Sequence, residues 1–227
     1  MINAIILAAG QGIRMKSNKA KVLHQLGGKS LLQHVIDATN PLTTSINIVI
    51  GNDAELVKNS INSHSINWIV QEKQLGTGHA VQQAITSIND KSTCIILYGD
   101  VPFISTNTIK SLIAQSQLTG FSLLSVILDD SSSYGRIVRD KNKLIQAIIE
   151  HKDANDEKRK INEINTGVMA IKGSLLKKYI SQLKPNNKQG ELYLTDIVEI
   201  AVSDNVTISS LVCDNASEVM GINNKNQ

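Results

Sequence analysis

Aromatic side chains make up only 3% of this 227-residue chain, and its 23 Lys and Arg leave a net charge of just +3 against 20 Asp and Glu. Neither the stacking platforms nor the broad basic face used on nucleic acid is available. Cys94 and Cys213 stand far apart without CxxC spacing, which excludes a disulfide framework and leaves two reduced, buried thiols. No apolar run approaches the ~20 residues that span a bilayer, and residues 1–9 lack the basic flank and cleavage site of a secretory signal. The chain therefore reads as cytoplasmic, with a small molecule as partner and neither nucleic acid nor membrane. The five histidines fit no ligand spacing, and His79 and His151 read as structural.

What is present is apolar periodicity. A 41% hydrophobic content suffices for one well-buried core. Four strand-then-helix units follow one another: strands at residues 4–7, 46–50, 68–70 and 94–98, helices at 31–38, 54–61, 79–88 and 106–114. Such alternation predicts an α/β fold with a mostly parallel sheet between helix layers. The second half is looser, with strands at 122–128, 136–139, 143–150 and 168–171, helices at 174–183 and 196–202, and a charged loop at 151–160. One domain is expected over residues 1–227, a nucleotide-binding lobe to about residue 105 and a smaller α+β lobe from 106 onward.

Two glycine motifs compete near the start. Gly10-Gln11-Gly12-Ile13-Arg14-Met15 follows a strand, but Met15 stands where a dinucleotide fold needs its third glycine. "GGKS" at residues 27–30 ends like a P-loop, yet Leu23 occupies the position of the required first glycine; it reads as a turn with Ser30 as helix N-cap. What remains is a glycine loop carrying Arg14, with Lys21 seven residues beyond it. Backbone amides, a guanidinium and an ammonium together suit a triphosphate. "CIILYGDVPFI" then sets Asp100 at the end of an apolar strand, where open α/β sheets bind ligands and a carboxylate can hold Mg²⁺; its plainer reading is a cap for the turn before Pro102. In "QEKQLGTGHA", Gly76-Thr77-Gly78 opens a helix whose free amides favour polar or anionic groups.

These segments, with YGRI, IEHKDA, EINTGV and GELYLTD in the same order, resemble the uridylyltransferase half of bacterial bifunctional N-acetylglucosamine-1-phosphate uridylyltransferases over nearly the whole chain. The resemblance implies a three-layer, Rossmann-like nucleotidyltransferase fold. It implies that Leu7, Ala8, Ala9, Gly10, Gln71, Gly76 and Thr77 hold uracil and ribose, and that Arg14 and Lys21 hold the triphosphate of UTP. Tyr98 and Gly99 flank the nucleotide-sugar, Gly135, Glu150 and Asn165 contact N-acetylglucosamine, and Asp100 with Asn223 ligate Mg²⁺. The family usually has threonine at the position of Ile13 and proline at that of Ala20. Ile13 offers no hydroxyl to phosphate, and Ala20 leaves the loop freer at a cost of about 1 kcal/mol or less.

In this reading a phosphate oxygen of N-acetylglucosamine-1-phosphate attacks the α-phosphorus of UTP directly, and no Ser-His or Cys-His pair is needed. Arg14, Lys21 and Asp100 are the catalytic candidates. Relatives continue into a β-helix that acetylates glucosamine-1-phosphate; no hexapeptide repeat is seen here, so no acetyltransferase activity is expected. A monomer is expected for this chain and a trimer with such a domain attached. Two rivals stand beside this reading: another sugar-1-phosphate nucleotidyltransferase, and a non-catalytic nucleotide-sugar-binding module.

Overall fold

The computed structural model describes residues 1–17, 19–51, 53–61 and 65–224, apart from the side chain of Ile13. The chain runs through β1 (Ile2–Ala8), β2 (Gln25–Leu26), β3 (Lys29–Ser30), α1 (Leu31–Thr39), β4 (Ser45–Ile50), α2 (Ala54–Ser60), β5 (Ile66–Val70), α3 (Thr77–Ala84), β6 (Thr93–Tyr98) and α4 (Thr106–Thr119). It continues with β7 (Phe121–Ile127), β8 (Arg136–Arg139), β9 (Ile145–Ile149), α5 (Asp156–Arg159), β10 (Glu163–Lys172), α6 (Gly173–Ile180), α7 (Asp196–Ser203), β11 (Ser209–Cys213) and α8 (Ala216–Val219). Among the described residues no helix is long and apolar enough to cross a membrane.

The main sheet has the order β11-β7-β10-β6-β1-β4-β5, with β8 and β9 attached through β10. β1 pairs in parallel with both β4 and β6, and β4 with β5. β10 lies antiparallel between β6 and β7, which makes the sheet mixed. Period-2 alternation sorts the strand residues into two cores. Ala4, Ile6, Ile95 and Leu97 face a layer containing Leu32, Val35, Ile109 and Leu112 of α1 and α4. Ile5, Leu7, Cys94 and Ile96 face Val81, Leu176, Tyr179 and Ile197 of α3, α6 and α7. The expected boundary near residue 105 falls just before α4, and the sheet continues across it.

Several expected elements appear with shifted ends, and the turn expected at "GGKS" is present. "GGKS" forms the turn of a tiny β2–β3 hairpin: Gly27 and Gly28 both take positive φ (+56° and +86°), as a two-residue type I′ turn demands. Ser30 then caps α1, accepting from the Gln33 amide at 3.2 Å. The strand expected at 168–171 extends back to Glu163, and its pairing with β7 slips between Asn165 and Met169. That bulge interrupts the alternation from which strands are read. The charged loop at 151–160 contains α5, opened by an Asn155 cap. Cys94 and Cys213 are free and buried.

Around the bulge, Arg139 ties four strands. It donates from Nε (2.8 Å) and Nη2 (2.7 Å) to the two oxygens of Glu163, and from Nη2 to Ser210 Oγ at 2.8 Å. Ser125 Oγ also donates to Glu163, at 2.7 Å. Burial alone would raise the Glu163 carboxyl, but these hydrogen bonds outweigh it and hold it below the ordinary glutamate range. Glu163→Gln should therefore cost about 2 kcal/mol of stability at neutral pH. A depressed carboxyl contributes fully above its unfolded value and loses that contribution as pH falls through its folded value, so the gap between parent and variant should close in acid. Urea titrations at neutral and acidic pH check this, and a gap equally wide in acid would remove the charged pair as its cause.

Candidate functional site

The parallel strands leave β1 toward β4 and β5 on one side, while β6 pairs on the other, so β1 and β6 flank a topological switch point. Ligands of open α/β sheets bind at the carboxyl ends beside such a point. A cleft of about 640 Å³ opens there. Gly99 N–H donates to Leu7 O at 2.9 Å and locks the two strand ends together. Leu7, Ala8, Ala9, Gly10, Arg14, Lys21, Gln71, Gly76, Thr77, Tyr98, Asp100 and Asn223 all line this cleft. Gln74 and Glu191 line it too and escaped the sequence reading. Both lie inside motifs already noted, but nothing local marks which polar residue of a motif turns inward.

The charged end of the cleft gathers three distant parts of the chain. Lys21 Nζ pairs with Asp100 Oδ2 and donates to Asn223 Oδ1 at 2.9 Å, while Arg14 Nη2 donates to the same Asn223 oxygen at 2.8 Å. Lys21 and Asp100 are largely enclosed, with side chains 12% and 21% exposed. Asn223 arrives on a C-terminal segment anchored along its length. Glu218 Oε1 accepts from the Ser105 amide at the start of α4 (2.9 Å), Tyr134 OH donates to Met220 Sδ (3.5 Å), and Ile222 N–H donates to Asp100 O (2.9 Å). Residues 225–227, the last of the polar end, lie outside the described residues. So does the side chain of Ile13, and with it the question of a hydroxyl missing there.

Gly135, Glu150 and Asn165 do not line this cleft. They form a second group beyond Tyr98. The Asn165 N–H donates to Gly135 O at 2.8 Å, and a Cβ on Gly135 would lie 3.3 Å from Glu150 Oε1. The β10 bulge sets Gly167 against the Tyr98 ring and lets Asn165 Oδ1 accept from the Gly167 amide at 3.1 Å. Burial, with help from Glu150 and Asp100, pushes the Tyr98 phenol far up, so it is a neutral donor. Burial also raises Glu150, against a hydrogen bond from Thr195 Oγ1 at 3.1 Å. Among the described residues no group of three His, Cys, Asp or Glu is placed to hold a metal. Asp100 Oδ2 and Asn223 Oδ1 instead converge on one cationic atom, Lys21 Nζ. Two hard oxygens sharing one cation fit Mg²⁺, which typically takes few protein ligands beside water and phosphate.

Residues 4–161 match the MobA-like NTP transferase domain. The chain belongs to this family of NTP transferases. It is 50% identical over 226 residues to the bifunctional protein GlmU of Ruthia magnifica subsp. Calyptogena magnifica, and 51% identical over 226 residues to that of Vesicomyosocius okutanii subsp. Calyptogena okutanii. Each match takes in 100% of this chain and 50% of the relative, so the chain spans about half the length of the curated relatives it matches. Among solved structures, UDP-glucose pyrophosphorylase complexed with UDP-glucose aligns with a TM-score of 0.75 at 18% identity, covering 97% of this chain and 94% of that one. HddC from Yersinia pseudotuberculosis complexed with GMP-PN aligns at 0.68 and 19%, covering 94% and 91%. At such identities the likeness is one of fold.

In this NTP transferase domain the helix start at Gly76-Thr77-Gly78 differs from expectation. Its amides are not all open to a ligand: Gly78 N–H donates to Leu192 O at 2.8 Å, and Thr77 Oγ1 accepts from Leu194 N–H at 3.0 Å. The segment around Leu192 lies across the helix start as a strap, returned by its own N–H to Leu75 O at 2.8 Å. Gly76 has φ +109°, and a Cβ there would fall 2.5 Å from Leu192 O. That oxygen is backbone, not a flexible side-chain end. Gly76→Ala should destabilise the domain by about 1–3 kcal/mol and weaken nucleotide binding, because Glu191 and the cleft wall move with the strap. Chemical denaturation checks the first effect, and a loss below about 0.5 kcal/mol would show that the strap yields without cost.

Proposed function

We propose that this domain transfers UMP from UTP to N-acetylglucosamine-1-phosphate, releasing pyrophosphate, with Mg²⁺ as its metal. One observation carries the reading: Arg14, Lys21, Asp100 and Asn223, from three separate stretches, meet at the mouth of a cleft at the sheet's switch point. The 50% identity to GlmU along the entire chain supports the choice of base and sugar. Backbone at Leu7, Ala8, Ala9 and Gly10, with Gln71, Gly76 and Thr77, faces uracil and ribose. Arg14 and Lys21 take the triphosphate, and Gly99, Gly135, Glu150 and Asn165 serve the sugar around Tyr98.

The chemistry needs no protein nucleophile. A phosphate oxygen of the sugar phosphate, already an anion at neutral pH, forms a bond to the α-phosphorus as the bond to the bridging oxygen breaks, and pyrophosphate leaves with that electron pair. The protein's task is to bring two polyanions together in line. Arg14 supplies a fork of donors to phosphate oxygens, and Lys21 exchanges its Asp100 contact for phosphate. Asp100 and Asn223 would hold Mg²⁺, which neutralises phosphate charge when bound. The neutral Tyr98 phenol donates to the bound nucleotide-sugar, and the raised Glu150 carboxyl suits hydroxyl or amide partners.

Mixing UTP, N-acetylglucosamine-1-phosphate and Mg²⁺ with the protein should release pyrophosphate, faster than with other nucleoside triphosphates or unacetylated sugar phosphates. No release would overturn the proposal, and faster release with another pair would favour a different sugar-1-phosphate nucleotidyltransferase. Arg14→Ala should lower kcat/KM by about 10²–10³. Lys19→Ala should do far less, since Lys19 is exposed and its amide, bonded to Ser17 Oγ at 3.2 Å, stays in place. Equal losses in the two variants would reduce the loop to a basic surface.

A further inference from the structure

The base-facing end of the cleft contains a carboxamide whose orientation is decided by its neighbours. Gln71 is only 3% exposed. Its Nε2 lies 2.9 Å from His79 Nδ1 and 3.3 Å from the Gly76 carbonyl oxygen. On the far side of the imidazole, His79 Nε2 lies 3.1 Å from Gln83 Nε2. A neutral imidazole offers one lone pair and one N–H, so it cannot accept from both amides. One carboxamide must turn its oxygen to the ring. Each has a carbonyl beside its nitrogen, Gln83 at 3.3 Å from His79 O. The tie is broken by burial: exposed Gln83 can turn and satisfy itself with water, whereas a reversed Gln71 would set oxygen against the Gly76 oxygen where no water relieves it. His79 therefore accepts at Nδ1 and carries its proton at Nε2. Both N–H groups of Gln71 are taken, and Oε1 is what Gln71 offers the cleft it lines.

We infer that His79 is a positioning residue for base selection, holding the Gln71 amide so that its Oε1 meets a base bearing a ring N–H at its pairing edge and disfavours one bearing a ring lone pair there. Uracil has that N–H, and cytosine has the lone pair. The inference rests on the proposed placement of the UTP base against Gln71. It also changes the reading of His79 as a purely structural histidine.

The test compares UTP and CTP in wild type, His79→Phe, His79→Gln and Gln71→Ala, by steady-state kinetics and by calorimetric nucleotide binding. His79→Phe keeps a ring but removes the acceptor. It should raise the KM for UTP about tenfold with kcat little changed, and lower the UTP-to-CTP ratio of kcat/KM by about tenfold. His79→Gln, which restores an acceptor oxygen, should recover part of that ratio at similar thermal stability. An unchanged ratio in His79→Phe, or equal loss for both nucleotides, overturns the inference. If Gln71→Ala collapses the ratio while His79→Phe preserves it, Gln71 still reads the base and only the role of His79 falls. If Gln71→Ala leaves the ratio intact, the placement of the base itself is wrong. If wild type turns over neither nucleotide, uridylyl transfer fails, and the binding ratios alone decide on His79.

Discussion

The middle of β1 is enclosed on both faces of the sheet, with Ala4, Ile5 and Ile6 at 0% exposure, and β6 beside it is equally dry through Ile95 and Ile96. Strands buried in this way can carry no chemistry along their length, because an unpaired polar side chain there would cost several kcal/mol. Polar groups are confined to the strand ends. Parallel pairing of β1 and β6 puts both carboxyl ends on one edge, and the Gly99 to Leu7 hydrogen bond fixes their spacing. The loop that leaves β1 carries Arg14 and Lys21, and the one that leaves β6 carries Asp100. Their meeting is a consequence of the dry core beneath them.

Once gathered, the charges set their own terms. Two unit charges at contact distance interact by about 4 kcal/mol at an effective dielectric near 20, so an enclosed ammonium needs a partner. Lys21 finds one in Asp100 and shares Asn223 with Arg14. On the proposed function, a triphosphate entering the cleft would exchange partners with this cluster, and its affinity would be the difference between two well-satisfied arrangements. Tyr98 separates this highly charged half from the Glu150 and Asn165 half. A tyrosine phenol is neutral at neutral pH, and burial beside two carboxylates raises it further, so one ring borders both halves without adding a charge to either.

Features carried by short-range pattern were legible in the sequence: the alternation of strands and helices, the glycine loop, Asp100 at a strand end, and the cap at Ser30. Features set by partners far along the chain were not. The glycines of "LGTG" look like an anion cradle locally, yet Gly76 and Gly78 make room for Leu192, more than a hundred residues later. β11 begins with two serines at the edge of the sheet, so it lacks the apolar signature of the interior strands. The β10 bulge hides the start of its strand and at the same time brings Gly167 to Tyr98. Gln74 and Glu191 belong to recognised motifs, but only packing reveals that they face the cleft.

Ala20, where the resemblance leads one to expect proline, shows why such a departure need not alter the site. Ala20 has φ −51° and ψ 135°, close to the fixed φ near −65° that a proline ring imposes. Its carbonyl accepts from Leu23 N–H at 2.9 Å, closing the short turn Lys21–Leu23, while Val22 and Leu23 sink into the core beneath α1. The direction of Lys21 is thus fixed by the turn and by two buried neighbours, and the ring is not needed to aim the ammonium. What a proline changes is the ensemble before folding, where alanine explores more of φ/ψ space. The substitution therefore acts on the entropy of the loop and leaves the contact between Lys21, Asp100 and Asn223 to the packing that creates it.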